Sequence, residues 1–170
     1  MTSLNLNRMS SHEISWNGKR TERISIKMSH IKMPVAVHLF LIKENKILLS
    51  RRYNTGFQDG NYSLVAGHME RNETVKQAMI REAMEEANII LDSDKLEIIQ
   101  VMHRRSETED RIDYFIFSDE WQGELKNNEP LKCDDLRWFA LEQLPENMVE
   151  YVRYALVCYL RREYFTEFGY

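Results

Sequence analysis

The stretch GHMERNETVKQAMIREAMEEANI, residues 67–89, places Glu70, Glu73, Glu82, Glu85 and Glu86 directly behind Gly67. Its stretch from about Glu73 to Ala87 contains neither Pro nor Gly and reads as a helix. At about 100° per residue, Glu82, Glu85 and Glu86 stand at i, i+3 and i+4 and share one face. Ile80, Ala83, Met84 and Ala87 fall on the other side. That pattern predicts a helix that packs its apolar side on a sheet and turns its glutamates outward. Like charges at this spacing repel and weaken the helix. A solvated acidic face is the plain reading. A bound divalent cation is the reading that offsets the repulsion.

Carboxylate oxygens are hard ligands suited to Mg²⁺ or Mn²⁺. Mg²⁺ commonly takes one or two protein carboxylates and leaves its other positions to water and substrate phosphates. Such a site can neutralise a polyphosphate, orient a water and acidify it. One glutamate can stay free as a general base.

The rest of the chain frames this segment. A length of 170 residues suits one domain with a small extension. The first dozen residues are polar and aperiodic, and disorder is expected over 1–12. Residues 13–33 form an N-terminal extension in which Ile24, Ile26 and Met28 alternate with polar residues, the pattern of an edge strand. From 34 to 170 a single domain is expected. PVAVHLFLI and KILLSRR form a hairpin around KENK, and YSLVAG is a short strand ending at Gly67. KLEIIQVMHRR, RIDYFIFS and LRWFAL are further strands, and NMVEYVRYALVCYLRREYF has helical spacing. Strands, helix, strands, helix predict an α/β or α+β fold, a mixed sheet between helices in an α/β/α sandwich.

Composition narrows the function classes. A net charge of -4 argues against a nucleic-acid-binding surface. The two cysteines, Cys133 and Cys158, have no disulfide or zinc spacing. No apolar run approaches membrane-spanning length and no apolar signal segment opens the chain, so no membrane partner and a cytoplasmic location are expected.

Gly67, five residues, Glu73, seven residues, then REAMEEANI resembles the signature of the Nudix family. Its glycine and charged positions are all present: Gly67, Glu73, Arg81, Glu82, Glu85 and Glu86. Ala83 stands where the family has a bulky apolar residue, and Asn88 where it has glycine. Asn tolerates a left-handed helix cap next best after Gly, so Asn88→Gly is expected to stabilise the chain modestly. Downstream, NNEPLKCDDLRWFALEQLP is similar to a segment of MutT-like members that act on nucleotides, matching at Glu129, Pro130, Lys132, Cys133, Trp138, Leu144 and Pro145.

The resemblance implies hydrolysis of a nucleoside diphosphate linked to another group, with Mg²⁺ or Mn²⁺ holding the diphosphate and a small nucleotide as substrate. A (deoxy)nucleoside triphosphate cleaved to monophosphate and pyrophosphate is the first expectation. A nucleoside diphosphate-sugar or dinucleotide is the second, and a non-catalytic nucleotide sensor the third. Glu85 and Glu86 would be the main metal ligands, with the Gly67 carbonyl beside them. Glu82 would be a ligand or the base, and Glu129 a ligand or base from outside the helix. Arg81 would orient carboxylates, paired with Glu73. Isopentenyl diphosphate isomerases share the fold but need a cysteine upstream of the signature, and this chain has none there.

Other residues carry two readings each. Arg51 and Arg52 end a strand and either contact phosphates or are solvated. His103, Arg104 and Arg105 carry the same two readings, with solvation favoured. His68 reads as a loop histidine and Cys133 as a buried thiol. Phe57, Tyr62 and Trp138 either stack a base or fill the core, with the core favoured. The C-terminal aromatics from Tyr151 to Phe165 cover the sheet or a homodimer interface.

Overall fold

The computed structural model describes residues 31–106 and 109–170. The predicted disorder over 1–12 and the edge strand around Ile24–Met28 lie outside the described residues. The elements run β1 (Val35–Lys43), β2 (Lys46–Arg52), β3 (Tyr62–Ser63), β4 (Ala66–His68), α1 (Val75–Ala87), β5 (Glu97–Arg105), β6 (Asp110–Ser118), β7 (Cys133–Ala140), α2 (Glu150–Leu160) and β8 (Phe165–Phe168).

β1 is the hub of a mixed sheet. It pairs parallel with β6 and antiparallel with β4, and its end turns into β2. Glu44 and Asn45 both hold positive φ, 49° and 60°, the primed-turn conformation that matches strand twist in a two-residue hairpin. Beyond β6 the order continues to β5 and β8, while β2 carries β3 and β7. Alternation along β1 divides the core. Val37, Leu39 and Leu41 join Ala78, Met79, Ala83 and Ala87 of α1 on one side. Phe40 joins Val152, Ala155 and Leu156 of α2 on the other. The sheet is thus sandwiched between helices, as the pattern predicted.

Three local expectations change. YSLVAG is not one strand: Tyr62–Ser63 pairs with β2 and Ala66–His68 pairs with β1, so the chain crosses from one partner to the other at Leu64-Val65. The C-terminal segment stops being helical at Leu160 and ends in β8, parallel to β5, an element that helical periodicity hid. Finally, α1 is turned relative to its predicted orientation. Met84 is 38% exposed and Glu82 only 9%, so part of the acidic face points inward.

α1 starts at a capping box, with the Thr74 hydroxyl accepting from the Gln77 N–H and the Gln77 side chain accepting from the Thr74 N–H. It ends at Asn88, left-handed at φ 56° and ψ 33°. The Asn88 N–H donates to the Met84 carbonyl (3.2 Å) and the Ile89 N–H to the Ala83 carbonyl (3.3 Å), which satisfies two carbonyls of the last turn. The expected cap is present, with an addition: Asn88 Nδ2 donates to the Glu124 carbonyl at 3.0 Å. Gly at 88 relieves the left-handed strain but loses that bond, worth roughly 0.5–1.5 kcal/mol. The expected stabilisation by Asn88→Gly therefore shrinks to about zero. Asn88→Ala keeps the strain and loses the bond, and is expected to cost about 1–2 kcal/mol. Denaturant melts check this ranking; Ala melting at or above Gly overturns it.

Candidate active site

β4 and α1 meet where Gly67 faces Glu82. A Cβ on Gly67 would lie 1.9 Å from Glu82 Oε1, a distance no carbon atom can occupy. Glycine serves here for close approach and not for a left-handed backbone. It lets the Glu82 carboxylate lie directly against the strand.

Arg81 organises the acids. Its Nε and Nη2 donate to Glu73 Oε2 (3.1 Å) and Oε1 (2.9 Å), a bidentate fork. Nη2 also donates to the His68 carbonyl at 3.0 Å, which ties α1 to the end of β4. Nη1 donates to Glu82 at 2.6 Å and more weakly to Glu85 at 3.4 Å. The predicted pairing of Arg81 with Glu73 is therefore one arm of a larger hub. Glu73 is held below its ordinary range by Arg81.

Glu82 and Glu86 behave in the opposite way. Burial pushes the Glu82 carboxyl up, against the hydrogen bond and charge of Arg81, with Glu85 and Glu129 adding to the rise. The Glu86 carboxyl lies deep, and burial pushes it to about 8, reinforced by Glu82 and Glu129. It accepts from the Ala66 N–H at 3.1 Å, which opposes the rise without reversing it. Glu85 stays exposed.

The loop before β7 completes the cluster. The Lys126 and Asn128 N–H groups donate to the Ala87 and Glu86 carbonyls (both 3.0 Å), and Asn128 Nδ2 to the Glu85 carbonyl (3.0 Å). These bonds satisfy carbonyls that the helix end leaves open and carry Glu129 to the site. Glu129 accepts from Lys132 Nζ at 2.8 Å. Glu82, Glu85, Glu86 and Glu129 border one cavity of about 400 Å³, together with Gly67 and Lys132. Gly67, Glu86, Glu129 and Lys132 also border a larger cavity of about 850 Å³, so the two share a wall.

Among the described residues no three His, Cys, Asp or Glu side chains stand close enough together to hold one ion as placed. Arg81 occupies Glu82 and draws on Glu85. The donor set still fits a hard divalent cation: carboxylates resist ionisation beside one another, and a cation shared among them removes that resistance.

The remaining candidates separate clearly. Arg52 lines the larger cavity, whereas Arg51 is paired with Asp134 (2.7 and 3.1 Å) and does not. Arg104 and Arg105 line the same cavity, but Arg104 is buried against Asp113 and Arg105 is paired with Asp110. His103 meets the Tyr170 hydroxyl. His68 lines both cavities, and burial lowers its pKa. Cys133 also lines the larger one, and burial raises its thiol. Tyr62 is core and Trp138 packs against the core, while Phe57 is 49% exposed on the cavity rim. Tyr151 and Tyr159 cover the sheet, whereas Tyr164 and Phe165 stay exposed.

One feature had no local signal. His38 Nε2 meets Asp113 at 3.2 Å and Arg104 Nε donates to Asp113 at 2.5 Å, all three buried. Burial alone would raise Asp113, but His38 and Arg104 outweigh it and hold the carboxyl near 2. Only the parallel pairing of β1 with β6 brings His38 to Asp113.

Comparison with known proteins gives the family and the fold. The family model described as NUDIX domain matches residues 32–158. A protein of Methanocaldococcus jannaschii named ADP-ribose pyrophosphatase is 32% identical over 136 residues, covering 76% of this chain and 79% of that one. The crystal structure of a MutT NUDIX hydrolase from Burkholderia pseudomallei superposes with a TM-score of 0.69 at 26% identity, over 75% of this chain and 98% of that one. A bifunctional NMN adenylyltransferase/ADP ribose pyrophosphatase from Francisella tularensis, complexed with AMP and a Mn ion, shares the fold with a TM-score of 0.58 at 22% identity, over 79% of this chain and 43% of that one. No helix among the described residues is long and apolar enough to cross a membrane.

The buried acids set a pH dependence. Unfolded, Glu86 loses its proton near its ordinary 4.5; folded, it keeps the proton until about 8. Between these values the folded state binds more protons, so stability falls as pH rises through that window. Glu86→Gln removes this loss and keeps an acceptor for the Ala66 N–H. In chelator, the variant is expected to melt above the unsubstituted protein at pH 8 and level with it near pH 4.5. A melting difference that does not change with pH overturns the assignment.

Proposed function

The chain belongs to the Nudix family, and from that premise we propose that it is a divalent-metal-dependent hydrolase of nucleoside diphosphate-sugars of the ADP-ribose type. Hydrolysis of a phosphoanhydride in a nucleotide-like substrate is common to the family. One observation carries the finer reading: the four-glutamate cavity adjoins a larger one, with Gly67, Glu86, Glu129 and Lys132 bordering both, and the larger one offers room for a group beyond the diphosphate. The relative from Methanocaldococcus jannaschii, named for ADP-ribose, favours a sugar over the triphosphate expected first.

Glu82, Glu85 and Glu86, with the Gly67 carbonyl, are the residues that would hold Mg²⁺ or Mn²⁺. The bound ion would neutralise the diphosphate and acidify a water. The other steps rest on the chain's own groups. Arg81 keeps Glu82 and Glu73 oriented and neutralises part of the cluster before substrate arrives. Glu129 faces the helix acids from a separate loop and takes the proton of the attacking water as general base. Lys132, paired with Glu129, brings a positive charge to the wall that both cavities share. Arg52 borders the larger cavity with its guanidinium engaged by the loop at Thr55 and Phe57. Attack on phosphorus then yields a nucleoside monophosphate and a sugar phosphate.

Incubation with ADP-ribose, ADP-glucose, ATP and dGTP in Mg²⁺, with separation of monophosphate, sugar phosphate and pyrophosphate, tests the substrate class. ADP-ribose is expected to give the highest kcat/KM; preference for a triphosphate overturns the sugar reading. Chelator is expected to abolish turnover, and activity persisting in chelator overturns the metal reading.

Glu85→Gln is expected to remove nearly all activity while the fold stays as stable, because it deletes one charge from a repelling cluster. Gly67→Ala is expected to fold, since the group that its methyl displaces is the mobile end of Glu82, and to lose activity with it. Glu129→Gln is expected to lower kcat by about a hundredfold to ten-thousandfold with little change in KM. An unchanged rate returns the base to the helix.

A further inference from the structure

The loop between β2 and β3 presents one aromatic ring to the larger cavity. Phe57 is among that cavity's lining residues and is 49% exposed. An exposed phenyl ring on a cavity rim leaves apolar surface in water that a bound flat group would cover.

The loop is braced so that this exposure persists. Asp59 accepts from the Thr55 N–H (3.0 Å), the Gly56 N–H (3.0 Å) and the Thr55 hydroxyl (2.6 Å). Arg52 reaches in from β2, donating through Nε to the Phe57 carbonyl (2.6 Å) and through Nη2 to the Thr55 hydroxyl (2.9 Å). Its guanidinium lies over the Phe57 ring, 5.3 Å from the centroid. Asn54 and Gln58 hold left-handed φ, both 53°, on either side of the ring. Side chains rarely adopt that conformation without enforcement by their surroundings. Charge-assisted bonds on a strained loop thus keep an apolar ring in solvent, beside a cavity whose other wall carries Glu86 and Glu129.

We propose that Phe57 is the platform on which the nucleobase of the substrate stacks, with Arg52 bracing it from the opposite side. This rests on the nucleotide reading above and names the residue that recognises the base. Such a platform accepts any planar base and discriminates nucleotides from base-free sugar phosphates. Stacking on an aromatic side chain contributes about 1–3 kcal/mol, which is roughly five- to 150-fold in affinity.

The test separates binding from turnover. AMP and ribose 5-phosphate are titrated against the intact chain and against Phe57→Ala, Phe57→Tyr and Phe57→Trp, with the Trp variant's fluorescence reporting contact directly. The unsubstituted protein is expected to prefer AMP, Phe57→Ala to lose that preference by at least fivefold, and Phe57→Tyr to restore it. AMP is expected to quench the new tryptophan while ribose 5-phosphate does not. In turnover of ADP-ribose, Phe57→Ala is expected to raise KM by a similar factor and leave kcat near unchanged. Equal AMP affinity in the unsubstituted and Ala proteins overturns the proposal, as does an unsubstituted protein with no preference for AMP. Absence of ADP-ribose hydrolysis with AMP preference intact overturns the substrate reading and leaves the platform standing.

Discussion

A carboxylate pressed against a glycine is the contact on which this molecule turns. Glu82 reaches the Gly67 backbone because no Cβ intervenes. Reaching it requires α1 to roll its acidic face partly under β4, and that roll exposes Met84. Burying carboxylates is costly, with an effective penalty of several kcal/mol per ion even after relaxation. The fold offsets it locally: Arg81 neutralises the outer acids and bonds the His68 carbonyl, so one side chain both balances charge and fixes the helix to the strand.

How far the sequence could be read depended on whether a feature was local. The hairpin around Glu44-Asn45, the capped helix from Thr74 to Asn88 and the strands after it follow from short-range rules of turn, cap and period. The shared face of Glu82, Glu85 and Glu86 was legible from helical spacing, Gly67 and Arg81 came from the resemblance to the family signature, and all five line one cavity. The roll of α1 was not. A helical wheel assigns polar residues outward by default, and only the close approach of Gly67 reverses that for Glu82. The break between β3 and β4 escaped because Leu64 and Val65 are as apolar as strand residues, and what ends the strand is a change of pairing partner. β8 escaped because Tyr164 and Phe165 also fit helical spacing. At Asn88 the backbone conformation was legible and the bond to Glu124, 36 residues away, was not.

Two clusters of charge in this molecule are resolved differently. In one, Asp113 is fully buried between His38 and Arg104, and Arg104 is stacked over Tyr151 at 3.9 Å. Both basic partners are spent on one acid, and Arg105 is spent on Asp110. In the other, Glu82 is buried and Glu86 half-buried among more acids than cations, and burial pushes both toward holding protons. An acid already held ionised by adjacent partners, as Asp113 is, gains little from a further cation, whereas acids that burial pushes toward holding protons gain a great deal. The free energy that a bound cation would release is therefore concentrated at the acids of α1. The bonds that stitch residues 126–128 to the last carbonyls of α1 extend the same logic. They hold Glu129 at the cavity that the acids of α1 line, so that a carboxylate from a separate loop joins theirs.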